Sequence, residues 1–97
     1  MFGPVATFEV FDDELDAVER ANATDFGLAA GIWTPDVDRP LRVGRSLRVG
    51  TVWTNTWAVV HDQFEEGGYK QSGVGRLNGL RGLEEFQETK HLVHTAP

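Results

Sequence analysis

The apolar residues near the start of the chain follow two different periods. Residues 5–11 alternate as in a β-strand and are rich in β-branched and aromatic side chains. Within residues 14–23 the apolar side chains recur every third position, and two aspartates just before them can cap the first turn. The pattern therefore predicts a strand over residues 5–11 and then an amphipathic helix over residues 14–23.

The next elements alternate between strand-like runs and a helical stripe. Residues 28–34 are uncharged, which is typical of a strand buried on both faces. Residues 37–49 carry an apolar stripe at helical spacing, with Gly50 as the stop signal, and residues 51–55 are strand-like again. This order predicts an α/β fold of three layers, in which helices flank a small, mostly parallel sheet.

The last part of the chain has a weaker pattern. Residues 56–78 contain four glycines without sustained periodicity, which is typical of a functional or a disordered loop. Asn78 is a candidate N-cap for a final short helix, and residues 90–94 predict a terminal strand. No internal repeat, linker or second domain is evident.

The amino-acid composition of the chain excludes or disfavours several classes of function. The 97 residues contain 9 Lys and Arg against 15 Asp and Glu, a formal net charge of −6, and no cysteine. Without cysteine the chain cannot form a disulfide framework, a thiolate metal site or a cysteine nucleophile by itself. The acidic excess disfavours nucleic acid as a partner. No apolar run approaches the ~20 residues of a membrane span, and no secretory signal is present, so we expect a cytoplasmic protein without a membrane partner.

Two motifs suggest ligand binding at first sight. Residues 73–79 follow the spacing G-x-G-x-x-x-G, which differs from the dinucleotide fingerprint and favours a structural turn. His61, His91 and His94 do not form a ligand set, because the last two point to opposite faces of a strand.

Two charged groups remain. The row formed by Arg42, Arg45 and Arg48 is most simply a solvated helix face, and a salt-bridged contact with an acidic surface is the alternative. Glu65 and Glu66 could act in acid/base chemistry or hold a cation, although a solvent-exposed acidic loop is the simpler interpretation.

Four motifs, in this order and spacing, together resemble the C-terminal part of the NAD(P)-dependent aldehyde dehydrogenase superfamily. The resemblance covers essentially the whole chain and implies a fragment of that family's catalytic domain, with the cofactor domain absent. The motifs are F-G-P-V at residues 2–5, F-G-L-A-A-G at 26–31, G-T-V-W-T-N at 50–55 and G-G-Y-K-Q-S-G-V-G-R at 67–76.

The resemblance also implies site residues. Phe2 would lie against the nicotinamide of the cofactor. The segment after the third motif resembles the wall of the aldehyde tunnel, so Trp57, Phe64 and Glu66 become candidate substrate-binding residues. The family commonly has Pro-Phe where this chain has Glu65-Glu66, and two carboxylates in the wall favour aromatic or cation-bearing aldehydes over aliphatic ones. Residues 91–95 resemble the strand that joins a neighbouring subunit, with an edge strand of the chain's own sheet as the alternative.

The implied parent enzyme oxidises a small-molecule aldehyde to a carboxylic acid with NAD or NADP. The family's nucleophilic Cys, oxyanion-stabilising Asn, general-base Glu and cofactor domain are all expected upstream of Phe2, so we expect these 97 residues alone to be inactive and to bind no cofactor. A second hypothesis is a non-catalytic interaction or assembly module that forms a homo-oligomer or pairs with full-length subunits. A third is a free-standing binder of anions or nucleotides.

Overall fold

Three helices and four short strands alternate along the chain in the computed structural model, which describes residues 3–97. This confirms the predicted α/β class, although most of the elements are shorter than the sequence pattern indicated. In chain order they are α1 (Glu14–Asn22), β1 (Phe26–Gly27), β2 (Ala29–Ile32), α2 (Arg39–Ser46), β3 (Thr51–Thr54), β4 (Tyr69–Lys70) and α3 (Gly79–Glu84).

The strands form two separate pairs and not one sheet. Strands β2 and β3 are parallel, with Ala29 opposite Thr51, and helix α2 is the crossover that connects them. Strands β1 and β4 are antiparallel, with Phe26 opposite Lys70. The predicted mostly parallel sheet is therefore correct for β2 and β3 only, because β1 pairs with the glycine-rich segment late in the chain.

Helix α1 begins at the predicted aspartate cap and is tied to α2 by charge. The Asp13 side chain accepts a hydrogen bond from the Asp16 amide at 2.9 Å. Arg42 of α2 donates from Nε and Nη2 to the Glu14 carboxylate at 2.6 and 2.8 Å, and Arg39 donates to the same group at 3.2 Å. These hydrogen bonds and charges lower the pKa of Glu14. Arg42 thus forms a salt bridge, as in the alternative interpretation, while its side chain remains more than half exposed to solvent.

Different segments of the chain pack on the two faces of the β2–β3 pair. Helix α2 lies on one face, where an added Cβ on Gly44 would be 3.6 Å from Val52 Cγ1. On the other face the Trp57 ring lies over Gly31, where an added Cβ would be 3.5 Å from it. Trp57 belongs to the loop after β3 and not to a helix. At Gly31 a loop residue therefore covers this face, and the predicted third layer stays a prediction.

Both predicted terminal strands are absent from residues 3–97. Residues 5–11 and 90–94 have no strand structure and are exposed. A strand requires a hydrogen-bonding neighbour, and the chain offers none to either segment. The alternative that residues 91–95 form an edge strand of the chain's own sheet is therefore wrong. Their pairing with a neighbouring subunit stays a prediction, because it requires a second chain.

The described residues form no apolar core. None of their apolar side chains is fully buried, and the radius of gyration is 18.4 Å, against about 13 Å for a compact domain of this length. The accessible surface is 8643 Å², whereas a folded monomer of 10.8 kDa exposes about 5,500 Å². None of the helices in the described part is long and apolar enough to cross a membrane. The folded chain therefore presents apolar faces that only another body could cover.

Candidate functional site

A cavity of about 280 Å³ lies between β3 and the loop that follows it. Its walls combine aliphatic and aromatic side chains with two carboxylates. The side chains that matter below are Trp53, Val59, Val60, His61, Phe64 and Glu66, together with Glu65.

The loop that forms one wall is held at its start by Asn55. Its amide oxygen accepts from the Thr34 N–H at 2.8 Å, and its amide nitrogen donates to the Thr34 carbonyl, also at 2.8 Å. Asn55 has φ 52°, a left-handed conformation that Asn tolerates better than most residues. Since Thr34 is buried and follows β2, this pair fixes the exit of β3 to the exit of β2.

Two tryptophans brace the same wall. The indole nitrogen of Trp53 donates to the Val59 carbonyl at 2.7 Å, which folds the loop back over β3. Trp57 packs edge-on against Trp53, with ring centroids 4.7 Å apart. Trp57 itself is not among the residues that line the cavity. The Trp57 side chain lies beside Trp53 and is largely exposed, and its predicted role in substrate binding stays a prediction.

Phe64 lies at the cavity as part of an aromatic pair. Its ring is 6.2 Å from the His61 ring in an edge-to-face arrangement, and its amide donates to the His61 carbonyl at 3.1 Å. The Phe64 side chain is still largely exposed. An apolar ligand in the cavity would cover part of this surface.

The Glu65 carboxylate is turned toward the beginning of α3. Its carboxylate accepts from the Arg81 amide at 3.3 Å and so lies at the beginning of α3. Hydrogen bonds from its own amide and from that of Arg81 lower the pKa of Glu65. Asn78 was the predicted cap of this helix, but its side chain makes no capping hydrogen bond there, and φ is 60°. The predicted position is confirmed, since Asn78 is the N-cap residue of α3, but the capping hydrogen bond is absent, and the Asn78 amide nitrogen donates to Glu66.

Glu66 has a different environment from its neighbour. Its backbone is paired with Leu77 through two hydrogen bonds of 2.9 and 2.8 Å. Its half-buried carboxylate lines the cavity, and its one hydrogen bond is a long contact of 3.4 Å from the Asn78 amide nitrogen. Glu66 is therefore the carboxylate of the pair that is available to a ligand.

The glycine-rich segment, residues 67–76, packs backbone against backbone. Gly67 lies so close to Gly50 that a Cβ on Gly50 would overlap the Gly67 carbonyl group. Lys70 donates from Nζ to the Asn22 and Thr24 carbonyls at 2.9 Å each and so satisfies acceptors at the C-terminal end of α1. Residues 73–79 bend and end at Asn78 and Gly79, whose φ angles are 60° and 57°, which agrees with the structural turn predicted there.

The same segment does not fit a dinucleotide. A pyrophosphate cradle needs backbone amides that converge on an open space at a helix N-terminus. Helix α3 has only six residues, and the Glu65 carboxylate already lies at its beginning. The predicted cofactor contact, Phe2, lies outside the described residues. In residues 3–97 we also find no group of three His, Asp or Glu side chains that could hold a metal.

Seven residues that line the cavity were not predicted individually as wall residues: Thr51, Val52, Trp53, Thr56, Val59, Val60 and His61. A signal existed for Trp53, because alternation along β3 places it on the face opposite Val52, which contacts α2. For His61 the signal was its place in the segment after the third motif, which resembles the wall of the aldehyde tunnel.

Comparison with known proteins matches one family along nearly the whole chain. The family model described as "Aldehyde dehydrogenase family" matches residues 1–92. An aldehyde dehydrogenase of Deinococcus radiodurans is 47% identical over 93 residues, which are 96% of this chain and 18% of the relative. A betaine aldehyde dehydrogenase of Bacillus subtilis is 48% identical over 92 residues, 95% of this chain and 19% of the relative. The chain therefore spans less than a fifth of the length of these relatives.

Solved structures give the same match in three dimensions. The NAD+ complex of an aldehyde dehydrogenase from Bacillus cereus superposes with a TM-score of 0.76 at 41% identity, over 80% of this chain and 16% of that chain. A betaine aldehyde dehydrogenase from Staphylococcus aureus in complex with NAD+ gives a TM-score of 0.77 at 42% identity, with the same coverage.

Proposed function

Because the chain belongs to the aldehyde dehydrogenase family, we propose that it is the C-terminal portion of an enzyme that oxidises an aldehyde to a carboxylic acid with NAD or NADP. These 97 residues contribute a wall of the aldehyde site, and the reacting groups come from the remainder of the enzyme. The observation that carries the proposal is the family match over residues 1–92, joined to a cavity with an aromatic and aliphatic wall.

The role of the chain in the reaction follows from its side chains. The cavity wall holds the organic part of the aldehyde and excludes water, with Trp53 and Phe64 as its aromatic surfaces and Glu66 as its charged group. The chain has no cysteine, so a thiol nucleophile cannot come from it. When bound, the nicotinamide cofactor accepts the hydride that the aldehyde carbon loses. We therefore propose that the isolated 97 residues are inactive and bind no cofactor.

A chimera tests this function. The 93 matched residues of the Deinococcus radiodurans relative are replaced by the corresponding residues of this chain, and oxidation of several aldehydes is followed as NADH or NADPH formation. We expect the chimera to oxidise at least one aldehyde, because the replaced segment has the same fold, and we expect the isolated chain to show no rate above a blank without protein. The unmodified relative is the positive control.

Two results would contradict the proposal. One is a soluble, folded chimera that oxidises no aldehyde that the relative oxidises. The other is turnover by the isolated chain with NAD or NADP, which would mean that these residues hold reacting groups of their own.

The exposed apolar faces favour a second candidate, an assembly module that pairs with full-length subunits. The candidate rests on the surface excess described above and on the exposed residues 91–95, which have the composition of a strand without a partner. Co-expression with a tagged full-length relative tests it, since a module must co-purify at a defined stoichiometry. A chain that stays monomeric and does not co-purify would exclude this role.

A further inference from the structure

The charged side chains that line the cavity beside β3 are acidic. Its ionisable lining side chains are His61, Glu65 and Glu66, and among the described residues no Lys or Arg lines it. None of the ion pairs found in residues 3–97 involves Glu65 or Glu66. A ligand in this cavity therefore meets negative charge that no lining cation neutralises.

The carboxylates of Glu65 and Glu66 differ in the hydrogen bonds that they accept. Glu65 is occupied at the beginning of α3, where it accepts from the Arg81 amide. Glu66 has the single 3.4 Å contact from Asn78 and is held toward the cavity by the two backbone hydrogen bonds to Leu77. A fixed backbone limits the positions that the carboxylate can reach, so little ordering is required when a ligand binds. Of the two glutamates that line this cavity, Glu66 is thus the one whose carboxylate accepts fewer hydrogen bonds from the described residues and can pair with a ligand more readily.

The other walls of the cavity suit a cation that carries alkyl groups. Trp53, His61 and Phe64 surround the space with aromatic rings, and a cation is attracted to the face of such rings. Val59 and Val60 complete an apolar lining that a small alkyl-substituted ammonium group can contact without losing hydrogen bonds. A strongly hydrated anion would meet the carboxylate and only neutral hydroxyl donors, from Thr51 and Thr56, beside His61, because the Trp53 indole N–H already donates to Val59.

We propose that Glu66 makes this site selective for aldehydes that carry a positive charge, above all a quaternary ammonium group, at the end remote from the carbonyl. The proposal rests on the proposed function and names the substrate class of that site. Glu66 acts as a specificity residue: it contacts the charged end of the substrate and takes no part in the hydride transfer. Its effect is electrostatic, so it depends on the charge of the substrate and not on its shape.

Two aldehydes of the same shape measure this selectivity. The cation 4-(trimethylammonio)butanal and its neutral carbon analogue 5,5-dimethylhexanal differ only in the central nitrogen or carbon of the terminal group. We expect the chimera to have a kcat/KM about tenfold higher for the cation. Glu66→Gln, which keeps the shape of the side chain, should remove most of that preference through a higher KM for the cation.

Glu65→Gln is the matched control, because it removes the same charge one residue away. Its carboxylate lies at α3, so the cation preference should change by less than about twofold. Equal loss of preference in both variants would overturn the role of Glu66 and would indicate a general effect of net charge.

The reciprocal substitution keeps the test valid if a variant of the chimera does not fold. Glutamate is introduced into a full-length relative that has an uncharged residue at the position aligned with Glu66, and the cation preference should rise about tenfold. An unchanged preference there, or a chimera that prefers the neutral analogue, overturns the proposal. A chimera that oxidises both aldehydes equally refutes the selectivity alone, whereas a folded chimera that oxidises no aldehyde refutes the proposed function and the inference with it.

Discussion

The isolated 97-residue chain is expected to unfold without a cooperative thermal transition and to bind a hydrophobic dye before it is heated. Cooperative unfolding requires a core whose loss is all-or-none, and none of the apolar side chains in residues 3–97 is fully buried. The accessible surface exceeds that of a compact monomer of the same mass by about 3,000 Å², much of it apolar. The measurement is calorimetry and dye fluorescence, with the mass followed by light scattering.

The chimera is the control for this prediction, because it supplies the surfaces that the chain lacks. It should melt cooperatively and bind little dye under the same conditions. A cooperative melt of the isolated chain together with a defined dimer mass would contradict the prediction. Such a result would favour the assembly module, since a second copy would then be covering the apolar faces.

Local patterns predicted the elements whose stability is local. Helix α1 lies within the predicted residues 14–23 because the aspartate cap and the apolar stripe act over one or two turns. Strands β2 and β3 lie within predicted strand segments for a similar reason, as each is a short run of apolar and β-branched residues. The parallel pairing followed from the helix that connects them.

The elements that were predicted incorrectly depend on partners distant in sequence or outside the chain. Residues 5–11 alternate as a strand does, but alternation does not reveal whether a neighbouring strand exists. The end of α2 at Ser46, well before Gly50, has a different origin, since the backbone is extended at Leu47. There Asn22 accepts from the Arg48 amide and donates to the Ser46 carbonyl, and these contacts span more than twenty residues.

The candidate site likewise has features that the sequence alone predicts and features that depend on contacts distant in sequence. A pair of glutamates next to two glycines was visible in the sequence, and so was its departure from the family's usual residues. Which of the two faces a ligand was not visible, because that depends on the Glu66–Leu77 backbone pairing and on the beginning of α3 at Gly79. The contact of Trp57 with Trp53 was not visible either, because it depends on how the loop after β3 folds back.

Gly50→Ala is expected to destabilise the chimera by about 3 kcal/mol and to lower its activity at least tenfold. A Cβ at this position would overlap the carbonyl group of Gly67 and approach the Gly68 Cα at 3.4 Å. Both neighbours are backbone, so no flexible side chain can move aside, and the glycine-rich segment itself must shift. Because Glu66 directly precedes Gly67, that shift moves the cavity wall as well as the fold.

Gly44→Ala is the matched control, since it adds the same methyl group nearby. Gly44 lies inside α2, and its new Cβ would make an ordinary contact of 3.6 Å with Val52 Cγ1. Alanine also loses less conformational entropy than glycine when a helix forms, so this variant should be as stable as the parent or more stable by about 0.5 kcal/mol. Melting temperature and kcat/KM are measured for both variants. If Gly50→Ala keeps both values while Gly44→Ala loses them, the close approach of residues 50 and 67 does not determine the position of the wall, and Glu66 must be held in place by the Leu77 pairing alone.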